Sequence, residues 1–157
     1  MSATYRIPDE PRPSTLSRFA VQPFWPLLAV MFGGSWLSWP WFVFNGFAIG
    51  SPTRKKELAL AAAGFAGNVV LALGVGIVVV RDLLPGTVGP YLALLGVVWR
   101  LGVSYLLFNL QSRTFGLYVY YGGVVQNGTI FLVAGYLLGR TLLPRVVDAV
   151  PLLRLVI

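Results

Sequence analysis

A chain of 157 residues that is 57% apolar and 11% charged departs from soluble domains, in which about a quarter of residues are charged, and its mean hydropathy of +0.77 predicts an integral membrane protein. The net charge of +7 comes from Lys and Arg in the tail, the connections and the C-terminal stretch, which suits membrane orientation and headgroup contact and offers nucleic acid no basic patch on a polar surface. With no Cys and no His, disulfides, thiol nucleophiles, imidazole acid–base chemistry, His-ligated haem or chlorophyll and the usual zinc sites are excluded.

Residues 1–18 form a polar tail with Pro8, Pro11 and Pro13 and lack the pattern of a signal peptide. The tail is expected to be disordered, or ordered only against a partner. The first apolar segment, 19–49, is interrupted by Pro23, Pro26, Pro40 and Gly33-Gly34. Its simplest reading is a lead-in followed by one long, Pro-kinked helix over about 24–49. The alternative is a re-entrant pair broken at Gly33-Gly34, which needs protein cover because lipid does not tolerate broken backbone. Trp25, Trp36, Trp39 and Trp41 crowd this segment with Phe42, Phe44 and Phe47. They suit an aromatic belt at the membrane interface or a packing surface for a neighbour, a pigment or a lipid.

Ser51 as N-cap and Pro52 at the first helical position predict the start of a second helix, with Arg54, Lys55 and Lys56 at the water boundary and a span over about 58–80. Gly64 and Gly67 lie in a small-residue stretch that permits close helix approach, and Asn68 falls near mid-depth. Residues 81–90 turn the chain into a third span over about 91–110, with Arg100 at its centre. A charge at that depth costs about 2.5–3.5 kcal/mol on insertion scales, and no Asp or Glu lies within an apolar run to face it.

Residues 111–114 read as a short connection to a fourth span over about 115–139, making an antiparallel hairpin. Gln126 is then as far from Arg113 as Arg100 is, and Asn127 is its neighbour. Arg100, Asn68, Gln126 and Asn127 make a candidate intramembrane polar cluster, since amide oxygens accept from a guanidinium. Residues 141–157, broken by Pro144 and Pro151 and carrying Arg145, Asp148 and Arg154, are too interrupted for a fifth span. They read as an interfacial or partner-binding arm.

At one common offset Gly64 aligns with Gly123, Asn68 with Asn127, Gly76 with Gly135, and Arg81 and Pro85 with Arg140 and Pro144. This pattern reads as two tandem helical hairpins related as a parallel repeat, or as coincidence in a biased composition. Gly135 and Gly139 add a GxxxG spacing for helix packing. The expected fold is an all-α integral membrane protein of four transmembrane helices in one membrane domain, 19–140. Four spans would put Arg6, Arg12, Arg18, Arg81, Arg140, Arg145 and Arg154 on one side and Arg54, Lys55, Lys56 and Arg113 on the other. That asymmetry favours both termini on the cytoplasmic face of a bacterial cytoplasmic membrane.

Glu57 and Asp82 stand at opposite ends of one predicted helix, about 37 Å apart at 1.5 Å per residue, and cannot act as an acid–base pair. The expectation is a non-enzymatic structural or accessory subunit, or a self-assembling scaffold, of a membrane complex. Its partners would be membrane lipids and other subunits or copies of itself. No cofactor or metal is expected, and a bound lipid is compatible with the sequence. The alternative is a homo-oligomeric channel or carrier for a small anion that uses Arg100.

Overall fold

The computed structural model describes residues 11–83, 85 and 88–149. Within them the chain forms a 3-10 turn, Thr15–Phe19, and five α-helices: α1 Phe24–Gly33, α2 Ser35–Ala48, α3 Arg54–Val80, α4 Gly89–Tyr120 and α5 Thr129–Ala149. Arg6 and the rest of 1–10, and residues 150–157 of the expected C-terminal arm, lie outside the described residues.

The first apolar segment is not one long, kinked helix. It is two short helices folded back on each other, the re-entrant arrangement. Gly34 separates them with φ +79° and ψ −174°, a region essentially reserved for Gly. Beyond it, Ser38 Oγ donates to the Pro26 carbonyl at 2.7 Å. Asn45 Nδ2 donates to the Val21 carbonyl at 2.7 Å, and Asn45 Oδ1 accepts from Val21 N at 3.2 Å. A continuous helix would hold Pro26 and Ser38 about 18 Å apart. The prolines had suggested kinks, but Pro23 and Pro26 sit at the start of α1, where a missing N–H costs nothing. Pro40 lies inside α2 without ending it.

α3 and the Leu94–Tyr120 part of α4 are long and apolar enough to cross a membrane. α1 and the Thr129–Leu142 part of α5 are apolar but shorter. The expected connection at 111–114 does not exist, because α4 runs through it. Gln, Ser, Arg and Thr are polar but do not break a helix; Gln111 is buried, and Ser112 Oγ donates back to the Phe108 carbonyl at 2.7 Å. The chain turns instead at 121–128. There Gln126 N donates to the Ala20 carbonyl at 2.9 Å, and Val21 and Gln126 form an isolated parallel bridge.

The α1–α2 hairpin packs against α3 and α4, and α5 packs against α1. One buried cluster, Trp39, Phe42, Ala61, Val103 and Leu107, joins α2, α3 and α4. A second, Ala20, Ala48, Ile49, Phe115 and Tyr118, closes the end where the N-terminal segment crosses α2. That segment is pinned by Ser14, whose N and Oγ both donate to the Ala48 carbonyl at 3.0 Å, and by Arg12 N on the Gly50 carbonyl at 3.3 Å.

The fold-back also regroups the charges. Arg12 and Arg18 flank the crossing over α2, at the same end of the bundle as Arg54, Lys55, Lys56 and Arg113. Arg81 stands at the other end of α3. The four-span grouping, which set Arg12 and Arg18 with Arg81, does not hold. The repeat is not expressed in the fold either: Gly64 and Asn68 are inside α3, whereas Gly123 and Asn127 lie in the turn before α5.

Candidate functional site

Two of the chain's intrahelical polar residues, Arg100 and Asn68, meet the hairpin at its break. Arg100, with Val97 and Leu101 of α4, lines a cavity of about 450 Å³ with Val30, Met31, Gly33 and Gly34. The C-terminal turn of α1 has carbonyls without intrahelical partners and the negative end of a helix dipole. Arg100 is therefore placed where a cation is favoured. On the opposite side of the break, Asn68 Nδ2 of α3 donates to Oγ of Ser35, the first residue of α2, at 3.0 Å; both residues are buried. Helices α3 and α4 thus each bring one polar side chain to the Gly34–Ser35 step.

Just beyond the tip, Trp39 is fully buried and its Nε1 donates to Ser104 Oγ at 2.9 Å, also fully buried. Its ring meets Phe65 edge-on at 4.7 Å between centroids. Trp99 Nε1 donates to the Gly64 carbonyl at 3.1 Å. A Cβ at Gly64 would lie 2.9 Å from Val103 Cγ1 and 3.0 Å from the Trp39 ring, and a Cβ at Gly67 would overlap the Trp99 indole. At these two glycines the side chains of Trp39, Val103 and Trp99 lie close against α3.

A second buried polar group lies at the basic end. Glu57, in the first turn of α3, is fully buried. Its Oε1 accepts from Ser51 Oγ and Thr53 Oγ1, each at 2.7 Å, and its Oε2 accepts from Gln111 Nε2 at 2.7 Å. Gln111 Nε2 also donates to the Phe42 carbonyl. Gly46 of α2 makes room for the carboxylate, since a Cβ there would overlap Glu57 Oε2. The clamp ties the α2–α3 connection to α2, α3 and α4. Hydrogen bonds to a charged group contribute about 1.5–3 kcal/mol each, which offsets the several kcal/mol that burying a carboxylate costs.

The expected polar cluster is therefore only half assembled. Arg100 and Asn68 flank the hairpin tip. Gln126 and Asn127 are exposed in the 121–128 turn, where Asn127 Oδ1 accepts from Thr129 N at 3.0 Å and from Thr129 Oγ1 at 2.7 Å, capping α5. Among the other expected packing glycines, Gly135 lies against Leu37 and Gly139 against Trp36, so two side chains of α2 reach α5 at small residues. Gly123 lies against the ring of Tyr118 in the turn, and Gly76 is half-buried on an outer flank of α3. The tryptophans are a packing surface inside the chain. Trp39 fills the core, Trp36 covers Gly139, Trp25 covers Gly128, and Trp41 meets Phe131 at 6.1 Å.

The sequence reading weighs Glu57 only against Asp82, places Gln111 in a connection and passes over Asn45. The available signal was Ser51 and Thr53 just ahead of Glu57, a pattern that reads as a solvated helix cap and here is turned inward. Among the described residues, no group of three or more His, Cys, Asp or Glu comes together. No family model matches the chain, and no curated protein or solved structure matches it.

Proposed function

We propose that this chain is a non-enzymatic membrane-embedded subunit that assembles with other subunits or with copies of itself. One observation carries the reading: the division of polar and apolar chemistry between inside and outside. Glu57, Asn45, Asn68, Ser38 and Ser104 are buried in hydrogen bonds within the chain. Between Leu58 and Val80 on α3, and between Leu94 and Leu106 on α4, the exposed residues are apolar or aromatic: Val70 is 68% exposed, Val80 83%, Leu94 56% and Val98 64%. Such faces are satisfied by lipid or by another membrane helix. The end carrying Arg12, Arg18, Arg54, Lys55, Lys56 and Arg113 would face the cytoplasm by the positive-inside rule. The test is native mass spectrometry of the complex extracted in mild detergent from its own membrane. A heteromer or a closed homo-oligomer is expected; a lone monomer overturns the reading.

A second reading is favoured by the hairpin tip. Interrupted helices that meet inside a bundle recur where a solute path needs backbone atoms and a fixed charge, and Arg100 supplies the charge beside such a break. Under this reading the assembly passes a small anion along Arg100. Anion flux in liposomes that Arg100→Gln abolishes supports it; flux absent in the wild-type chain sinks it.

A further inference from the structure

Across the basic end, a groove of about 460 Å³ runs between the start of α3 and the last third of α4. Thr53, Asn109 and Arg113 give it polar walls, Leu60, Leu106 and Leu110 line it toward the middle of the bundle, and Leu117 lies one turn beyond Arg113. Arg113 is exposed and makes no hydrogen bond or ion pair among the described residues. Arg54, Lys55 and Lys56 stand at the same end of α3 and are exposed. A cation on the wall of a leucine-lined channel, aligned with two helices of membrane-crossing length, is complementary to a molecule with a negative head and an apolar tail. A free phosphate would leave the leucines unused, and an acidic peptide would leave them partly wetted.

We propose that this groove is a binding site for an anionic phospholipid, with Arg113 on the phosphate and Leu60, Leu106 and Leu110 along one acyl chain. The site rests on the membrane-embedded reading above but not on assembly. One basic residue near an anionic headgroup is worth about a fivefold change in binding. The leucines supply the apolar area that retains the tail.

The test is native mass spectrometry of the full-length chain, delipidated in detergent, with phosphatidylglycerol, phosphatidylcholine or inorganic phosphate added. Adducts retained with phosphatidylglycerol in preference to phosphatidylcholine, and none with phosphate, are expected. Arg113→Gln should lower phosphatidylglycerol retention about fivefold, and Leu106→Trp should lower it by filling the leucine-lined part. Arg81→Gln, at the other end of α3, should change nothing. Near-UV circular dichroism verifies the fold of each variant; if Arg113→Gln misfolds, Leu106→Trp decides.

Retention unchanged in both groove variants overturns the proposal. So does phosphate binding that depends on Arg113 and matches the lipid, which would make this an anion site. An acidic protein that co-purifies and displaces phosphatidylglycerol from the wild type alone would make it a protein interface and would equally overturn it. The assembly reading is tested separately, on the complex extracted from its own membrane; a monomer there that keeps its Arg113-dependent lipid sinks the assembly reading and leaves this one standing.

Discussion

Glu57 Oε2 and Gln111 Nε2 meet at 2.7 Å in a fully buried pair separated by 54 positions in the sequence. Neither residue lies where a hydropathy reading looks for a partner: one passes for a helix cap and the other for a loop. Together they hold the start of α3 to the last third of α4 and, through the Phe42 carbonyl, to α2.

Removing one side of this pair should cost more than replacing its charge. Gln111→Leu leaves a buried carboxylate short of one donor and is expected to destabilise the chain by about 2–3 kcal/mol. Glu57→Gln should cost about 1–2 kcal/mol, because the Ser51 and Thr53 hydroxyls can turn to accept from the new amide. Unfolding in detergent titrated with SDS, followed by tryptophan fluorescence, measures both. Equal costs would mean that the carboxylate is not the centre of the clamp.

The hairpin break requires glycine at one position only. Gly34→Ala places a Cβ on backbone at φ +79° and ψ −174° and should cost about 1–3 kcal/mol. Gly33→Ala meets the mobile end of Leu37, at 2.8 Å from Cδ2, and should cost less. The same unfolding assay ranks them, and a reversed order would contradict the fold-back at Gly34.

The fold-back also has a topological readout that the absence of Cys makes clean. Single cysteines at Thr15 and Lys55 should be labelled from the same face by a membrane-impermeant maleimide, and one at Asp82 from the opposite face. A chain with one continuous first span would expose Thr15 and Lys55 on opposite faces.

Trp39 and Ser104 should couple. Ser104→Ala strands a buried indole N–H and is expected to cost about 1–3 kcal/mol. Once Trp39→Phe has removed that donor, the same change should cost much less, because no indole N–H remains to be stranded. A double-mutant cycle with a coupling energy near zero would remove the hydrogen bond from the account.

The aligned asparagines should behave differently. Asn68→Leu buries an apolar group against the Ser35 hydroxyl and leaves it short of a donor, whereas Asn127→Ala removes an exposed cap worth about 1 kcal/mol. Thermal unfolding of the two variants should show the larger loss at Asn68. Matched losses would restore the case for a repeat.

Hydropathy alone was sufficient to find α3 and most of α4, because long apolar helices report their own composition. The small-residue stretch around Gly64 and Gly67 was legible for the same local reason. The α1–α2 hairpin was visible only as the alternative: Gly33-Gly34 marks a break, but whether the chain kinks or reverses there depends on Asn45 reaching Val21, a contact between distant residues. The end of α4 was misplaced because polar side chains at 111–114 suggested water, while Gln111 spends its polarity on Glu57. Gln126 and Asn127 were drawn into the membrane by that same error. Side chains that satisfy one another across helices carry no periodic signature.

The hairpin tip has a consequence for the order of events during synthesis. Ser38 and Asn45 find their partners at Pro26 and Val21, residues already made when α2 emerges. Ser35 and Trp39 must wait for Asn68 and Ser104. The first helices off the ribosome can therefore form a preliminary loop, but its apex stays unsealed until α3 and then α4 have been translated. A chain stalled before Ser104 would leave the Trp39 indole without its acceptor and without the Leu107 side chain that helps to cover it.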